Sequence, residues 1–255
     1  MSANILLKKV GKIYYITFNR VAKKNAIVFE MYDDILKGLD EANNDPEVMM
    51  TVFTGNGEFY SSGNDFSMAS LMKTAETPEL RRLFADWVDK LIDHKKLLIA
   101  LVNGPAIGIA ATTLALFDII YSSTKAYFHC PFTSLALCPE GTSSHTFAKI
   151  MGHTKASQMI LLGEKLTAHD AFTCGFVSKV VDEKDFLINC VEKLEHFANT
   201  ISRQSLIYSK DMMRNQEERN KLKEINRWEL EKLEIQVQTD ECQEYLAKKF
   251  MRPKL

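Results

Sequence analysis

Leu97-Leu98-Ile99-Ala100-Leu101-Val102-Asn103-Gly104-Pro105-Ala106-Ile107-Gly108-Ile109-Ala110 is the stretch whose reading decides the fold. Its first six residues are all apolar, as in a strand covered on both faces. Asn103-Gly104-Pro105 breaks the strand. Residues 109–117 are apolar and Ala-rich, which predicts a buried helix. A buried strand that gives way to a helix leaves the first helical N–H groups pointing outward, where the dipole favours negative charge. Glycine in the turn lets a ligand approach the backbone closely.

A second segment follows the same plan. Residues 48–54 form another continuous apolar run, ended by Gly55-Asn56-Gly57. Phe59-Tyr60-Ser61-Ser62-Gly63-Asn64-Asp65-Phe66 comes next. One such turn serves topology in many α/β proteins. Two turns on adjacent strands can aim two N–H groups at one oxygen, an oxyanion hole, with each donor worth about 2.7–4 kcal/mol in a transition state. The phosphate-loop and dinucleotide-binding glycine patterns are absent, and so is a Gly-x-Ser-x-Gly elbow.

Outward from these turns, strands are expected at residues 5–10 and 13–19, joined at Gly11-Lys12. Val28, Tyr32, Ile35, Leu36 and Leu39 recur at helical spacing, as do Leu80, Leu83, Phe84, Trp87, Val88 and Leu91. Another strand is expected at 118–122. Alternation of strand and helix marks an α/β core. After Gly141 the pattern turns mostly helical. Thr167 is placed to cap a short helix ending near Gly175, followed by a strand at 177–181. Helices are expected at 185–199, 218–235 and 240–250. No linker interrupts the chain, so residues 1–255 read as one unit. Its core covers about 1–195 and its helical C-terminal region about 196–255.

Composition narrows the function. Hydrophobic residues make up 46% and charged residues 25%, and the formal net charge is -1. That balance disfavours nucleic acid or an anionic membrane as the main partner. No run of about 18 apolar residues is present, so no membrane insertion is expected. Five cysteines without a Cys-x-x-Cys pair read as free thiols. The six histidines contain no His-x-x-x-His pair, and no metal site is expected.

Glu140 lies in Leu135-Ala136-Leu137-Cys138-Pro139-Glu140-Gly141-Thr142, a carboxylate among apolar and small residues. The nearest basic side chains in sequence are Lys125 and Lys149. Desolvation raises the pKa of such a carboxylate and suits it to act as a general base near neutral pH. Taken alone, the segment reads first as a turn opening a helix, with Glu140 in its first turn; the rest of the chain favours the general base.

Taken together, these residues resemble the crotonase (enoyl-CoA hydratase/isomerase) superfamily over essentially the whole length. The resemblance rests on Ser61-Ser62-Gly63-Asn64-Asp65-Phe66, Val102-Asn103-Gly104-Pro105-Ala106-Ile107-Gly108 and Phe117-Asp118-Ile119-Ile120. Gly163-Glu164-Lys165-Leu166-Thr167-Ala168 and Gly175-Phe176-Val177 fit the same pattern. Within the superfamily, the chain is most similar to peroxisomal Δ3,Δ2-enoyl-CoA isomerases, without the acyl-CoA-binding domain that some of them carry.

The resemblance implies an α/β crotonase (ClpP-like) spiral of ββα units, with C-terminal helices packing a homotrimer or a dimer of trimers. It implies an acyl-CoA thioester as substrate and no cofactor, since coenzyme A is part of that substrate. The oxyanion-hole donors carry over to the backbone N–H groups of Asn64 and Ile109. Ile109 stands in Gly108-Ile109-Ala110, where the hydratases have three glycines. The two hydratase glutamates fall on Thr112 and Phe132, neither of which can act as a carboxylate base. The isomerase glutamate falls on Glu140, leaving it the sole acid–base group expected. Hydration should therefore be lost or feeble.

Other contacts with substrate are expected from Ser62, Gly63, Asp65 and Phe66 in the first turn, from Lys24 and Ala26, and from Phe132 in the acyl tunnel. Asp65 can equally brace its loop, and Lys24 can equally be a solvated charge. The tail Arg252-Pro253-Lys254-Leu255 is close to a Ser-Lys-Leu peroxisomal address read by an import receptor. The expected compartment is the peroxisome, with the mitochondrial matrix as the alternative.

Overall fold

The structure is a computed structural model and describes residues 3–65, 67 and 79–250. Its main sheet has the strand order β1 (Ile5–Val10), β2 (Ile13–Phe18), β3 (Met50–Gly55), β4 (Leu97–Val102), β6 (Ile119–Ser123) and β9 (Lys179–Val181). The first pair is an antiparallel hairpin, and every later pair is parallel. Helices α1 (Phe29–Asn44) and α2 (Glu79–Ile92) follow β2 and β3 in the chain.

Alternation along β4 explains its unbroken apolar run. Leu98, Ala100 and Val102 enter the larger core, with Phe53, Trp87 and Phe147. Ile99 and Leu101 face the opposite way, into a second core with Met50, Val52, Tyr121 and Phe186. Helix α7 (Phe186–Thr200) closes that second face through Phe186, Cys190, Leu194 and Ala198, and so carries the core past residue 195.

A small second sheet joins three distant segments: β5 (Ala106–Ile107), β7 (Tyr127–His129) and β8 (Leu166–Thr167). It fixes the second glycine turn against the strand leading to Cys130. The expected helix at 109–117 is shorter in the structure. It consists of α3 (Ile109–Thr112) followed by a 3₁₀ turn, Thr113–Leu116. The hydroxyls of Thr112 and Thr113 both donate to the Ile109 carbonyl, at 3.3 and 2.7 Å, and compete with continuation of the helix.

The remaining helices are α4 (Ser143–Met151), α5 (His153–Leu161), α6 (Ala168–Thr173), α8 (Arg203–Met213), α9 (Gln216–Val237) and α10 (Asp240–Phe250). Thr167 caps α6 as expected, accepting the Asp170 N–H at 3.1 Å. Among the described residues, no helix is long and apolar enough to cross a membrane. Phe66 and Pro253-Lys254-Leu255 lie outside the described residues.

Candidate active site

The first turn is held by backbone pairing. Ile27 donates its N–H to the Gly63 carbonyl at 2.8 Å and accepts the Asp65 N–H at 2.9 Å. Those two bonds use both polar groups of Ile27 and leave the Asn64 N–H pointing away from it. Asn25 supports the turn from beneath. It is fully buried, and its amide donates to the carbonyls of Asn56, Phe59 and Tyr60 at 2.9, 2.8 and 3.2 Å. The Ser61 hydroxyl donates back to the Asn25 carbonyl at 2.7 Å.

The second turn lies directly against the first. A Cβ on Gly63 would come within 2.5 Å of the Ile107 carbonyl, and its φ is +81°, so only glycine fits there. Ile107 donates its N–H to Ser61 at 3.0 Å, and Gly108 donates to His129 at 2.8 Å. Ile109 opens α3, where a helical N–H has no acceptor within its own helix. The two free donors therefore sit on turns in contact with each other.

Glu140 comes to the same place. A Cβ on Gly141 would meet Thr112 Oγ1 at 2.7 Å and Ile109 Cδ1 at 3.3 Å, so the Glu140-Gly141 segment packs on α3. Glu140 is buried, and among the described residues no hydrogen bond or ion pair engages its carboxylate. Burial, with the negative charge of Glu229 in addition, pushes its carboxyl up to about 8. Tyr32 and Cys130 are raised by their own burial and then by the Glu140 charge, which places both beside it. The Tyr32 hydroxyl donates to Asn64 Oδ1 at 2.5 Å.

Glu140 does not start a helix. Helix α4 begins at Ser143, and Thr142 before it has φ +67°. The helix end is capped from elsewhere: Glu229 on α9 accepts the N–H groups of Thr142 and Ser144, at 2.6 and 2.8 Å. Glu229 is a second buried carboxylate, and nothing in its local sequence signals that position. Its neighbours Arg227, Glu231 and Lys232 give it the look of a solvated face. Among the described residues, Glu140 thus shares this region with a second buried acid, which caps a helix.

The other expected residues take definite places. Ser62 donates its N–H to the Lys24 carbonyl at 3.0 Å, stitching the loop after β2 to the first turn. The exposed Lys24 ammonium lies 5.1 Å from the Phe59 ring centre. Ala26 is buried and its carbonyl accepts from Arg20 at 3.2 Å. Asp65 braces its loop through a 2.7 Å ion pair with Arg20 and a bond from the Ser67 N–H. Burial works to raise the Asp65 pKa, but those partners overcome it and hold the carboxyl low. Thr112 and Phe132 are both buried.

Nothing in the sequence signalled that the Asn25 amide supports the first turn, and Tyr32 was not among the expected site residues. Tyr32 had a faint signal, a hydroxyl on the apolar stripe of α1. A groove of about 780 Å³ lies elsewhere, lined by Gly57, Phe59, Pro105, Phe186 and Ile188 among others, and includes none of Glu140, Asn64 and Ile109. Among the described residues, no three or more His, Cys, Asp or Glu side chains are grouped to hold a metal ion.

Comparison with known proteins gives a consistent result. The family model described as "Enoyl-CoA hydratase/isomerase" matches residues 8–250. The chain is 42% identical over 244 residues to "Enoyl-CoA delta isomerase 2" of Rattus norvegicus, covering 94% of this chain and 62% of the relative. It is 43% identical over 230 residues to "Enoyl-CoA delta isomerase 3, peroxisomal" of Mus musculus, covering 88% and 71%. The chain thus spans roughly two thirds of the length of these relatives. A solved enoyl-CoA hydratase/isomerase from Pseudoalteromonas atlantica T6c superposes with a TM-score of 0.89 at 25% identity, covering 99% of this chain and 100% of that one.

Proposed function

The chain belongs to the enoyl-CoA hydratase/isomerase family, and from that premise we propose that it is a Δ3,Δ2-enoyl-CoA isomerase. The observation that carries this reading is a buried Glu140, unpaired among the described residues, beside two contacting turns with free N–H donors. The names of the rat and mouse relatives point the same way.

The reaction is a proton shift. The thioester oxygen of a 3-enoyl-CoA accepts the N–H groups of Asn64 and Ile109. The Glu140 carboxylate removes a proton from C2; the electron pair forms a C1–C2 double bond, and the carbonyl pair moves onto the thioester oxygen while C3 stays double-bonded to C4. Donors already aimed at that oxygen stabilise the dienolate. The protonated Glu140 then returns its proton to C4, giving a trans-2-enoyl-CoA and restoring the carboxylate. Proton and charge balance without a metal or redox cofactor. A carboxyl near 8 is basic enough to take the proton and acidic enough to give it back. Hydration needs a second group to activate water. Thr112 is not a base, and Phe132 excludes water.

The decisive experiment compares wild type with Glu140→Gln on 3-enoyl-CoA, with hydration of the 2-enoyl product assayed alongside. Near-normal isomerisation by the variant would overturn the mechanism. Efficient hydration by wild type would shift the reading to a hydratase.

Two finer parts of the reading have separate tests. The mouse relative is named peroxisomal, which supports the same compartment here. A tagged chain spread through the cytosol would contradict it. Self-association as a trimer draws support from Tyr208, Met212 and Met213, which α8 leaves exposed. Sedimentation equilibrium at the monomer mass would contradict that.

A further inference from the structure

Thr142 is a β-branched residue in left-handed backbone, a conformation of about 1–3 kcal/mol strain that persists only when its surroundings impose it. It is fully buried, and its own hydroxyl makes no capping bond. What holds it is Glu229, 87 positions further along the chain, through bonds to the Thr142 and Ser144 N–H groups. Any neutral oxygen would satisfy a helix end. A carboxylate there must be desolvated, and Glu229 is only 2% exposed. Among the described residues it has no ion-pair partner. Ordinary capping therefore accounts for its two bonds but not for its charge.

We propose that Glu229 is a positioning residue for Glu140, gripping the turn that carries Glu140 by two charge-assisted hydrogen bonds and confining it beside a second buried carboxylate. The proposal rests on Glu140 being the acid–base residue. Charge-assisted N–H bonds are about twice as strong as neutral ones, which suits a turn that must hold a strained residue.

The charged and titratable neighbours are few. Tyr32 on α1 and Cys130 after β7 face Glu140, and burial keeps both neutral. His145, next on α4, responds to burial, Lys221, Lys149 and Glu218 rather than to either acid. That leaves Glu229 on α9, among the described residues, as the charge whose removal should change Glu140. Its presence adds to burial in keeping Glu140 protonated up to about pH 8.

The test is the pH profile of kcat/KM on 3-enoyl-CoA. Glu229→Gln keeps the shape and one carbonyl oxygen but removes the charge. Its acid limb should move to lower pH, and its plateau kcat should fall by up to about 10²-fold as the turn loosens. Glu229→Asp keeps the charge, so its limb should stay close to wild type while kcat falls. A residue serving only the fold would lower stability and leave the limb where it was, and that result overturns the proposal.

A second measurement does not depend on activity. Infrared difference titration of the unliganded protein follows the protonated-carboxyl band that Glu140→Gln abolishes. Its midpoint should move down in Glu229→Gln. If Glu229→Gln does not fold, Glu229→Asp supplies the second reading: the charge is kept, so kcat should fall while the band stays near its wild-type midpoint, and an unchanged kcat overturns the proposal. An unmoved band in Glu229→Gln overturns it as well. If Glu140→Gln is inactive and Glu229→Gln leaves limb and band unmoved, the positioning role fails alone. If Glu140→Gln is active, the isomerase reading fails, and the infrared midpoint still decides whether Glu229 governs Glu140.

Discussion

Two of the places where this molecule buries ionisable groups are built on opposite principles. At the foot of β4, Lys210 on α8 donates to Asp118 Oδ2 and to the Lys96 carbonyl, at 2.7 and 2.6 Å. Asp118 also accepts the Leu98 N–H at 2.7 Å. At the other place, Glu140 has no hydrogen-bond or ion-pair partner for its carboxylate among the described residues. Burial does not separate them, since Lys210 is 5% exposed and Glu140 8%. Desolvation drives both toward neutrality, Lys210 down to about 8 against the pull of Asp118 and Glu140 up to about 8. The difference is partnership. A buried charge with partners ties the C-terminal helices to the sheet. A buried acid without one is poised to exchange a proton.

Single substitutions can break that contrast. Glu140→Gln should lower kcat by about 10²–10⁴-fold, measured by conversion of 3-enoyl-CoA to the conjugated 2-enoyl thioester. The variant should unfold no more easily than wild type near neutral pH. Lys210→Met should do the reverse. Asp118, 17% exposed, would lose its ammonium partner and keep only the Leu98 N–H, which should cost about 1.5–3 kcal/mol in urea unfolding, with kcat of the folded fraction preserved. If Lys210→Met were as inactive as Glu140→Gln while remaining stable, the division between joint and reactive group would fail.

Stability as a function of pH sharpens the same contrast. Glu140 ionises near 4.5 in the unfolded chain and near 8 in the folded protein. Between those values the folded protein binds more protons, so the Glu140 contribution to stability falls as pH rises and levels off above about 8. Glu140→Gln removes that loss. The variant should match wild type in acid and become more stable than it by a few kcal/mol above pH 8, at about 1.4 kcal/mol for each pH unit that separates the two ionisations. Thermal melts across that range would show the two curves diverging. Parallel curves would mean that Glu140 is already ionised at neutral pH.

The sequence made the strands legible because β3 and β4 are covered on both faces and need apolar residues throughout. It also made Glu140 legible, because a carboxylate among Leu137, Pro139 and Gly141 stands out. The strands β5, β7 and β8 were not legible. Two or three residues carry no period, and their pairing comes from segments far apart in the chain. Glu229 was hidden for the opposite reason to Glu140. In Arg227-Trp228-Glu229-Leu230-Glu231-Lys232 an acid is ordinary, and only tertiary packing buries it. Asn25 likewise looked like a loop residue until three carbonyls converged on its amide.

The smallest expected effect concerns the neutral surroundings of Glu140. Tyr32 is 2% exposed, and its hydroxyl donates to the side chain of Asn64. The donor proposed for catalysis is the Asn64 backbone N–H, whose direction is set by the pairing of Ile27 with Gly63 and Asp65. Tyr32→Phe removes the hydroxyl and leaves that pairing intact. It should cost about 0.5–1.5 kcal/mol of stability, the net worth of one hydrogen bond. Because the backbone donor stays in place, kcat should change only a few-fold. A loss as deep as that of Glu140→Gln would make the phenol a proton carrier in its own right. The site would then resemble the Lys210 joint more closely, with function shared between bonded partners rather than resting on one acid that has none.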